Sequence, residues 1–412
     1  MQTENAAPSA AWFLVGPTAV GKTAVAQHVA ERTGAAILSA DAMLVYRGMD
    51  IGTAKPLPVE RGPVRYFGID LADPDEPFST GAWLAAVRAE LSGRAGPPDP
   101  PHARATRSAS ASSIGGSGPT PPEPPQLLRL RRLDGPALPD RAPRPGGLIV
   151  AGGTGLYVRA LVHGLDAPAA DPVRRQYWQE RLAREGLEAL RRELTARAPQ
   201  VAAALADPEN PRRVIRALEH LDAHGSLPDT WREAPKPRLI GLRLPRSALH
   251  ARIAARVERM FANGFLDEVA TLRDRFPAWT AASVTTGARA SVRAAFQPAV
   301  GGDGAPPSSS HALSQATGGR TVAQSADTPA TARSAIGYAE ACDLLDKRIT
   351  REQAIAQIVV RTRQLAKRQE TWFRHQADVT WIEIAADEPA AAIAARVLAA
   401  WREHGPTPIR LS

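Results

Sequence analysis

The chain has 412 residues, a length that suits two or three domains. Lysine and arginine total 51 against 42 acidic residues, which leaves a net charge of +9. This excess favours an acidic partner such as nucleic acid, although a basic proteome would produce the same balance. The single cysteine, Cys342, excludes an internal disulfide and a cysteine-built zinc site, and it fits a reducing compartment.

The N-terminal segment "MQTENAAPSA" has no basic region, and the apolar run "AWFLV" that follows is short. A signal peptide or a membrane span needs a longer apolar stretch. We therefore expect a cytoplasmic protein with no membrane partner.

A phosphate-binding loop is predicted at "GPTAVGKT", between an apolar strand and a helix. The segment matches the G-x-x-x-x-G-K-[ST] pattern in full. Backbone N–H groups of such a loop bind phosphate oxygens, Lys22 adds a cation, and Thr23 can ligate Mg²⁺. The ligand could be ATP, GTP or another diphosphate. The predicted diphosphate-binding residues are Gly16, Pro17, Thr18, Ala19, Val20, Gly21, Lys22 and Thr23.

The helix after this loop is "GKTAVAQHVAERTG". Its apolar spacing predicts that Ala24, Val25, Val29 and Ala30 share one buried face. Gly34 is the predicted C-cap, because glycine adopts the left-handed conformation without strain.

Asp41 directly follows the predicted second strand, "AAILSAD". Ligands of open α/β sheets bind at the carboxyl ends of the strands, so Asp41 is expected beside the phosphate loop. A carboxylate there can accept a proton, hold metal-bound water, or simply cap a helix. Lys55, in "GTAKP", either adds a cation at the same rim or lies on the surface.

The remaining pattern alternates strands and helices, which predicts an α/β fold with a parallel sheet. The segment "AGGTGLYVRAL" is a strand, a glycine turn and a helix, where Gly152, Gly153 and Gly155 permit close approach of another chain. "RLIGLRLP" and "VTWIEI" are further strands. The long C-terminal helix is expected to begin at Thr350, with Gln353 completing a capping box.

Two low-complexity segments interrupt this pattern, at 93–145 and 278–332. The first holds 13 of the 37 prolines and little hydrophobic periodicity, so both are predicted to be disordered insertions. The segment 171–229 reads as arginine-rich amphipathic helices and predicts an all-helical subdomain. The core is then divided among 1–92, 146–170, 230–277 and 333–412.

Three helices carry clustered basic residues. Cations at the start of a helix are unfavourable for its dipole, so the first cluster favours a phosphate partner. The other two clusters recur on one helix face, which is usually solvated, but three basic faces beside a phosphate loop favour nucleic acid. The clusters are Arg212, Arg213 and Arg216; Arg252, Arg256 and Arg259; and Arg363, Lys367 and Arg374, with Trp372 nearby.

In their order, "GPTAVGKT", "SADAMLVYRGMDIGTAKP", "AGGTGLY", "NPRRVIRALE", "IGLRLPR", "AIGY" and "TRQLAKRQETWFR" resemble the tRNA dimethylallyltransferase family, also called tRNA isopentenyltransferase. The resemblance implies a P-loop-type parallel sheet flanked by helices, with an inserted helical tRNA-binding subdomain. It implies transfer of a dimethylallyl group from dimethylallyl diphosphate to the exocyclic amine of the adenosine 3′ to a tRNA anticodon, with release of pyrophosphate.

The resemblance also assigns roles to residues. Asp41 matches the general base and Arg256 the diphosphate-contacting arginine, while Lys22 and Thr23 serve catalysis with Mg²⁺ on Thr23. The partners implied are the tRNA anticodon stem-loop and dimethylallyl diphosphate, and we expect a monomer. The tRNA-contacting residues implied are Asp41, Ala42, Met43, Leu44, Thr154, Arg175, Arg212, Arg213, Val214, Ile215 and Arg216.

The chain departs from the family pattern at two places. Ala42 replaces the usual serine after the aspartate, which removes a hydroxyl near the target base. Ser334 and Ala335 precede "IGY", where a basic residue is common.

Two other functions fit parts of the sequence. A P-loop small-molecule kinase would use ATP in the same loop and Asp41 as the base, but it leaves the arginine-rich helices without a role. A non-catalytic nucleic-acid-binding NTPase module would use the basic helices and leave Asp41 without one.

Overall fold

The structure, a computed structural model, describes residues 8–76, 78–93, 147–164, 172–205, 207–225, 235–277, 332 and 335–411. The two insertions predicted at 93–145 and 278–332 lie outside these ranges, apart from Gly93 and Ala332. Ser334 also lies outside them.

Seven strands form one sheet within the described ranges, and six of them run parallel in the order β3-β2-β4-β1-β5-β6. The seventh strand, β7, pairs antiparallel with the start of β1. The strands are β1 Ala10–Val15, β2 Ala36–Ala40, β3 Tyr66–Phe67, β4 Leu148–Gly152, β5 Arg238–Arg243, β6 Asp378–Glu383 and β7 Thr407–Pro408. The predicted α/β fold class is therefore confirmed.

Thirteen helices flank or extend this sheet within the described ranges. They are α1 Lys22–Thr33, α2 Pro58–Arg61, α3 Thr80–Leu91, α4 Gly155–His163, α5 Pro172–Glu185, α6 Leu187–Arg197, α7 Pro199–Ala204, α8 Pro211–His224, α9 Arg246–Ala262, α10 Phe265–Arg275, α11 Tyr338–Leu345, α12 Arg351–Gln376 and α13 Ala390–His404. None of these helices combines the length and the apolar character needed to cross a membrane.

The register of the sheet brings three strand ends together. Gly152 of β4 pairs with Val15 of β1 on one side and with Ala40 of β2 on the other. The chain segments that follow these three strands therefore leave the sheet at one edge. This edge is where the phosphate loop, Asp41 and the glycine turn meet.

Successive residues of the central strands enter different cores, as the period of two in a strand requires. Phe13 and Val15 pack with Trp83 of α3 and Val158 of α4 in one cluster. Leu14 packs on the other face of the sheet with residues of α1 and α13. Both faces are covered by helices, which is why the central strands β1 and β4 are apolar along their whole length.

Local signals in the sequence predict several helix ends correctly. Gly34 closes α1 in the left-handed conformation, with φ 69°. Thr350 caps α12: its hydroxyl oxygen accepts a hydrogen bond from the Gln353 N–H, and the Gln353 side-chain oxygen accepts one from the Thr350 N–H. The predicted buried face of α1 was wrong at one position, because Ala24 is exposed and lines a cavity while Ala26 is buried.

The described elements between 172 and 225 are all helical, as expected for this segment. Helices α5, α6 and α8 enclose a separate apolar core around Trp178, Leu190, Leu194 and Leu218. The Trp178 indole N–H donates to Asp222 at 2.7 Å, so the buried ring keeps a polar partner.

Candidate active site

A cavity of about 740 Å³ lies at the carboxyl edge of the sheet. Its walls come from the phosphate loop, the residues after β2, a loop at 52–54, the turn after β4, and helices α9, α11 and α12. The edge expected from the strand pattern is therefore the edge that holds the cavity.

The phosphate loop is held in a conformation that depends on glycine. Gly16 has φ 142°, and a Cβ there would lie 2.6 Å from the carbonyl oxygen of Leu242 in β5. Gly21, just before α1, has φ 106° and is left-handed. Any other residue at these positions would be strained, so both glycines are required by the backbone path.

Two side chains from distant helices anchor the phosphate loop. Gln369 of α12 accepts a hydrogen bond from the Thr18 N–H at 2.7 Å, so this N–H is already paired within the protein. Arg252 of α9 donates to the Val20 carbonyl at 3.0 Å and to the Ala386 carbonyl at 2.7 Å. The loop is thus fixed from both sides before any ligand binds.

Lys22 lies at the start of α1 and lines the cavity. Its ammonium donates to the Pro17 carbonyl at 2.7 Å, which turns it back over the loop. Burial lowers the pKa of Lys22 to about 8; the carboxylate of Asp41 opposes this shift and the guanidinium of Arg256 adds to it.

Arg256 is the member of the α9 arginine stripe that enters the cavity. It donates to Thr18 Oγ1 at 3.3 Å and to the Thr53 carbonyl at 2.9 Å. Burial lowers the pKa of Arg256, and neither it nor Lys22 forms a salt bridge to a carboxylate within the described ranges. Both cations are desolvated and lack an ion-pair partner among the described residues, so a bound anion would stabilise their charged forms.

The other two arginines of that stripe do not reach the cavity. Arg252 is engaged with the backbone carbonyls of Val20 and Ala386, and Arg259 is exposed. The three arginines predicted to share one helix face therefore differ in position: Arg252 anchors the phosphate loop, Arg256 lines the cavity and Arg259 lies on the surface.

Asp41 lies in the cavity, in the electrostatic neighbourhood of both cations. Its Oδ1 accepts a hydrogen bond from the Met43 N–H at 2.9 Å, and the chain after it forms turns. Because no helix begins there, the helix-cap interpretation is wrong. Among the described residues Oδ2 has no hydrogen-bond donor, so one carboxylate oxygen can accept a proton from a substrate.

Thr154 connects the predicted tRNA-side residues to the sheet edge. Its hydroxyl oxygen accepts a hydrogen bond from the Ala42 N–H at 3.1 Å, and its own N–H donates to the Ala40 carbonyl at 3.0 Å. Ala42, Met43 and Leu44 all line the cavity with it. The structure thus places this group of predicted residues together around Asp41.

The glycines after β4 make room for other chains. A Cβ on Gly152 would overlap the backbone of Ala40, one on Gly153 would overlap Gln369, and one on Gly155 would overlap Trp372. The expected close approach is confirmed. Gly153 and Gly155 let α12 lie against the turn, whereas Gly152 lies against the end of β2.

Helix α12 supplies one wall of the cavity, with residues that the sequence analysis did not single out. They are Ile358, Arg361, Thr362, Gln364, Leu365, Arg368 and Gln369. The predicted stripe on this helix lies on a different face, since Arg363 and Lys367 line a second cavity of about 420 Å³. The spacing of 361, 365 and 368 also fits one helix face and would have identified this wall.

Lys55 is neither at the cavity rim nor on the surface, so both expectations for it were wrong. Its buried ammonium donates to the Tyr46 carbonyl at 2.6 Å. It also pairs with Asp70 at 2.6 Å and with Asp50 at 2.7 Å. Lys55 therefore stabilises the segment 46–55 that follows β2 and links it to Asp70.

The predicted tRNA-contacting arginines of the helical segment lie outside the main cavity. Arg175 forms a two-pronged ion pair with buried Glu219, at 2.8 and 3.2 Å, and Arg216 pairs with the same carboxylate at 2.8 Å. Arg212 and Arg213 are exposed at the start of α8.

Val214 and Ile215, also predicted to contact tRNA, have side chains buried in the core of the helical segment. These side chains pack there with residues of α5 and α6. The neighbouring arginines carry the exposed chemistry of α8.

The oxygen ligands available for Mg²⁺ are sparse. Thr23 is exposed to the cavity at the start of α1, with Asp41 in the same cavity. Across the described ranges no cluster of three His, Cys, Asp or Glu side chains could hold a metal. One hydroxyl beside a phosphate-binding loop fits Mg²⁺ that is held mostly by substrate phosphates and water.

Two family models match the chain. One, described as IPP transferase, matches residues 44–95, 141–295 and 314–376, and another, described as isopentenyl transferase, matches residues 9–67. Together they span the phosphate loop, Asp41, Arg256 and α12.

Curated relatives agree with these models. A tRNA dimethylallyltransferase of Anaeromyxobacter sp. (strain K) is 34% identical over 93% of this chain and 96% of its own length. The tRNA dimethylallyltransferase 2 of Syntrophus aciditrophicus (strain SB) is 33% identical over 93% of this chain and 95% of its own.

Solved structures show the same fold. The tRNA isopentenylpyrophosphate transferase of Bacillus halodurans is 28% identical, with a TM-score of 0.50 over 96% of this chain and 99% of that one. A eukaryotic dimethylallyltransferase acting on tRNA is 18% identical, with a TM-score of 0.60 over 97% of this chain and 80% of that one, and is a likeness of fold alone. With its phosphate loop, aspartate and basic helix in one cavity, the chain belongs to the tRNA dimethylallyltransferase family.

Proposed function

We propose that this chain transfers a dimethylallyl group from dimethylallyl diphosphate to the exocyclic amine of the adenosine 3′ to the anticodon of tRNA. The observation that carries the proposal is the position of Asp41. It lies in one cavity with the two unpaired cations, Lys22 and Arg256, and with the family's basic helix α12 as a wall.

The phosphate loop would hold the diphosphate. Its free backbone N–H groups, Lys22 and Arg256 all carry positive charge toward the place where the leaving group becomes more negative. Thr23 would hold Mg²⁺, which when bound neutralises part of this charge. Because Arg256 donates to both Thr18 and Thr53, its guanidinium needs little reorganisation during the reaction.

Asp41 would act on the nucleophile. As the amine nitrogen bonds to the allylic carbon, the bond from that carbon to the diphosphate oxygen breaks and pyrophosphate leaves. The amine gives up one proton, which the uncommitted oxygen of Asp41 accepts. Because the Met43 N–H holds Oδ1 of Asp41, the orientation of the accepting oxygen, Oδ2, is fixed as well.

Apolar side chains in the same cavity suit a prenyl group better than a nucleotide. They are Val257 and Met260 of α9, Ile336 before α11, and Ile358 and Leu365 of α12. Such side chains exclude water from an allylic carbon that becomes electron-poor, which favours transfer to the amine over hydrolysis.

The target base would enter from the side formed by Ala42, Met43, Leu44 and Thr154. An adenine inside a tRNA loop must leave its stack to reach a carboxylate inside a cavity. Arg175 and the Arg212–Arg216 segment of α8 are proposed to contact the tRNA, with Arg212 and Arg213 supplying the exposed charges. These contacts rest on the family resemblance and on the charge of the surface.

The test is a prenyl-transfer assay with labelled dimethylallyl diphosphate and unmodified tRNA. We expect label in tRNA and release of pyrophosphate, with no phosphorylated product from ATP. ATP-dependent phosphorylation without prenylation would instead establish the kinase alternative. The relatives named above are tRNA dimethylallyltransferases and not kinases, which does not favour that alternative.

A further inference from the structure

We infer that Glu268 of α10 is a positioning residue of the diphosphate site, acting through the loop at 50–54 on Arg256. The inference rests on the proposed function, because Arg256 matters there as a diphosphate contact. Glu268 does not line the main cavity, so any effect on the ligand has to pass through a neighbour.

The Glu268 carboxylate is shared by four donors. It accepts hydrogen bonds from three successive backbone N–H groups, those of Asp50 at 2.9 Å, Ile51 at 2.6 Å and Gly52 at 3.2 Å. The Tyr338 hydroxyl adds a fourth at 2.7 Å. A carboxylate that accepts several N–H bonds at once fixes the backbone that presents them.

The loop held in this way forms a single tight turn. The Ala54 N–H donates to the Ile51 carbonyl at 3.1 Å, and the Lys55 N–H donates to the Asp50 carbonyl at 2.9 Å. Its N–H groups therefore point toward Glu268, while the Thr53 carbonyl leaves at the opposite end. Arg256 donates to that carbonyl at 2.9 Å.

The turn is thus held between a carboxylate and a guanidinium from consecutive helices. Glu268 of α10 caps its N–H end and Arg256 of α9 caps its carbonyl end. The two helices are joined at Asn263 and Gly264, and Phe261 meets Phe265 edge-on across this joint, with ring centroids 5.7 Å apart. The packing of these two rings therefore helps to set the separation between Glu268 and Arg256.

Two aromatic rings pack directly against the same turn, at Gly52. The Phe265 and Tyr338 rings lie 5.2 Å apart, and both are fully buried. A Cβ on Gly52 would lie 2.5 Å from Phe265 and 2.6 Å from Tyr338, so the glycine backbone rests directly on the two rings. Burial and the charge of Glu268 raise the pKa of Tyr338, which keeps its hydroxyl protonated and able to donate.

This geometry predicts what a neutral substitution does. In Glu268→Gln one oxygen becomes an NH₂ donor that faces backbone N–H groups, so at least one of them loses its acceptor. The turn then relaxes, the Thr53 carbonyl moves, and Arg256 loses one of its two anchors. We expect binding of inorganic pyrophosphate to weaken about tenfold.

The decisive experiment is a double-mutant cycle on pyrophosphate binding, measured by calorimetry in the full chain. The four proteins are the natural chain, Glu268→Gln, Arg256→Ala and the double variant. If Glu268 acts through Arg256, the Glu268→Gln loss disappears in the Arg256→Ala background. Equal losses in both backgrounds, or no loss in the single variant, would overturn the inference.

Two further variants separate positioning from folding. Asp267→Asn removes a charge from the adjacent exposed position in the same helix turn and is expected to bind pyrophosphate normally. Tyr338→Phe removes one of the four bonds and is expected to cause a smaller loss, which again vanishes with Arg256→Ala. The Tyr338→Phe cycle decides the matter if Glu268→Gln does not fold.

Pyrophosphate binding requires no tRNA, so the outcome is independent of the proposed reaction. An intact cycle without prenyl transfer would reject the proposed function and keep the role of Glu268. If prenyl transfer occurs but the losses of pyrophosphate affinity in Glu268→Gln and Arg256→Ala are additive, the proposed function stands and the role of Glu268 is rejected.

Discussion

The side chain of Gln369 accepts a hydrogen bond from the backbone N–H of Thr18 at 2.7 Å, across 351 positions of the chain. One residue belongs to the basic helix α12 and the other to the phosphate loop. The bond therefore connects two walls of the cavity directly. It also removes the Thr18 N–H from the set available to a diphosphate.

Replacing Gln369 tests this coupling. Gln369→Leu leaves the Thr18 N–H without an acceptor, which costs about 1–3 kcal/mol locally, and we expect kcat/KM to fall about tenfold for both substrates. The matched control is Gln357→Leu, at an exposed position of the same helix, which should leave the rates unchanged. Tighter diphosphate binding in Gln369→Leu would mean that the ligand uses the Thr18 N–H itself.

Asp41→Asn tests the proton acceptor. The amide keeps an oxygen for the Met43 N–H, so the turn after β2 should persist, while proton acceptance is lost. We expect kcat to fall by about 10²- to 10⁴-fold, with tRNA affinity unchanged in a filter-binding assay. Asp75→Asn, on the exposed surface, is the control. Normal turnover in Asp41→Asn would exclude this residue as the base.

The lowered pKa of Lys22 predicts a pH dependence of ligand binding. Its ammonium attracts the diphosphate while protonated, and with a pKa of about 8 in the free protein the charge is lost as the pH rises through 8. Affinity for dimethylallyl diphosphate should therefore fall on the alkaline side, measured without tRNA. A guanidinium stays protonated, so Lys22→Arg should bind more weakly at neutral pH yet lack this decline. An identical decline in Lys22→Arg would assign it to another group.

The arginines of the helical segment are expected to differ in kind. Arg212→Ala removes an exposed charge, so it should weaken tRNA binding and reduce its salt dependence by about one unit of slope, with no change in Tm. Arg175→Ala removes a partner of buried Glu219 and should lower the free energy of unfolding by about 1–3 kcal/mol. Binding titrations across salt concentrations and thermal melts measure the two effects. Equal changes in Tm would contradict the distinction.

Short-range signals in the sequence were enough for most of the fold. Gly34, Thr350 and the strand "AAILSAD" each depend on residues within one turn or one strand, and each was predicted correctly. The two-residue strands β3 and β7 were missed, because they exist only through pairing with distant strands. Lys55 was misjudged for the same reason, since its partners Asp70 and Asp50 meet it only in the folded loop.

By itself, the sequence determined the phosphate-loop motif and the α/β pattern, because these follow from local motifs in a fixed order. It also predicted Asp41 and, through the family resemblance, Arg256 as site residues, and both line the cavity. Tertiary structure alone decided which face of the basic helices α9 and α12 enters the cavity. Arg256 enters it while Arg252 and Arg259 do not, and Arg361 and Arg368 replace the stripe expected on α12. The physical reason is that helix periodicity defines faces, whereas the packing of each helix on the sheet selects the face that meets the ligand.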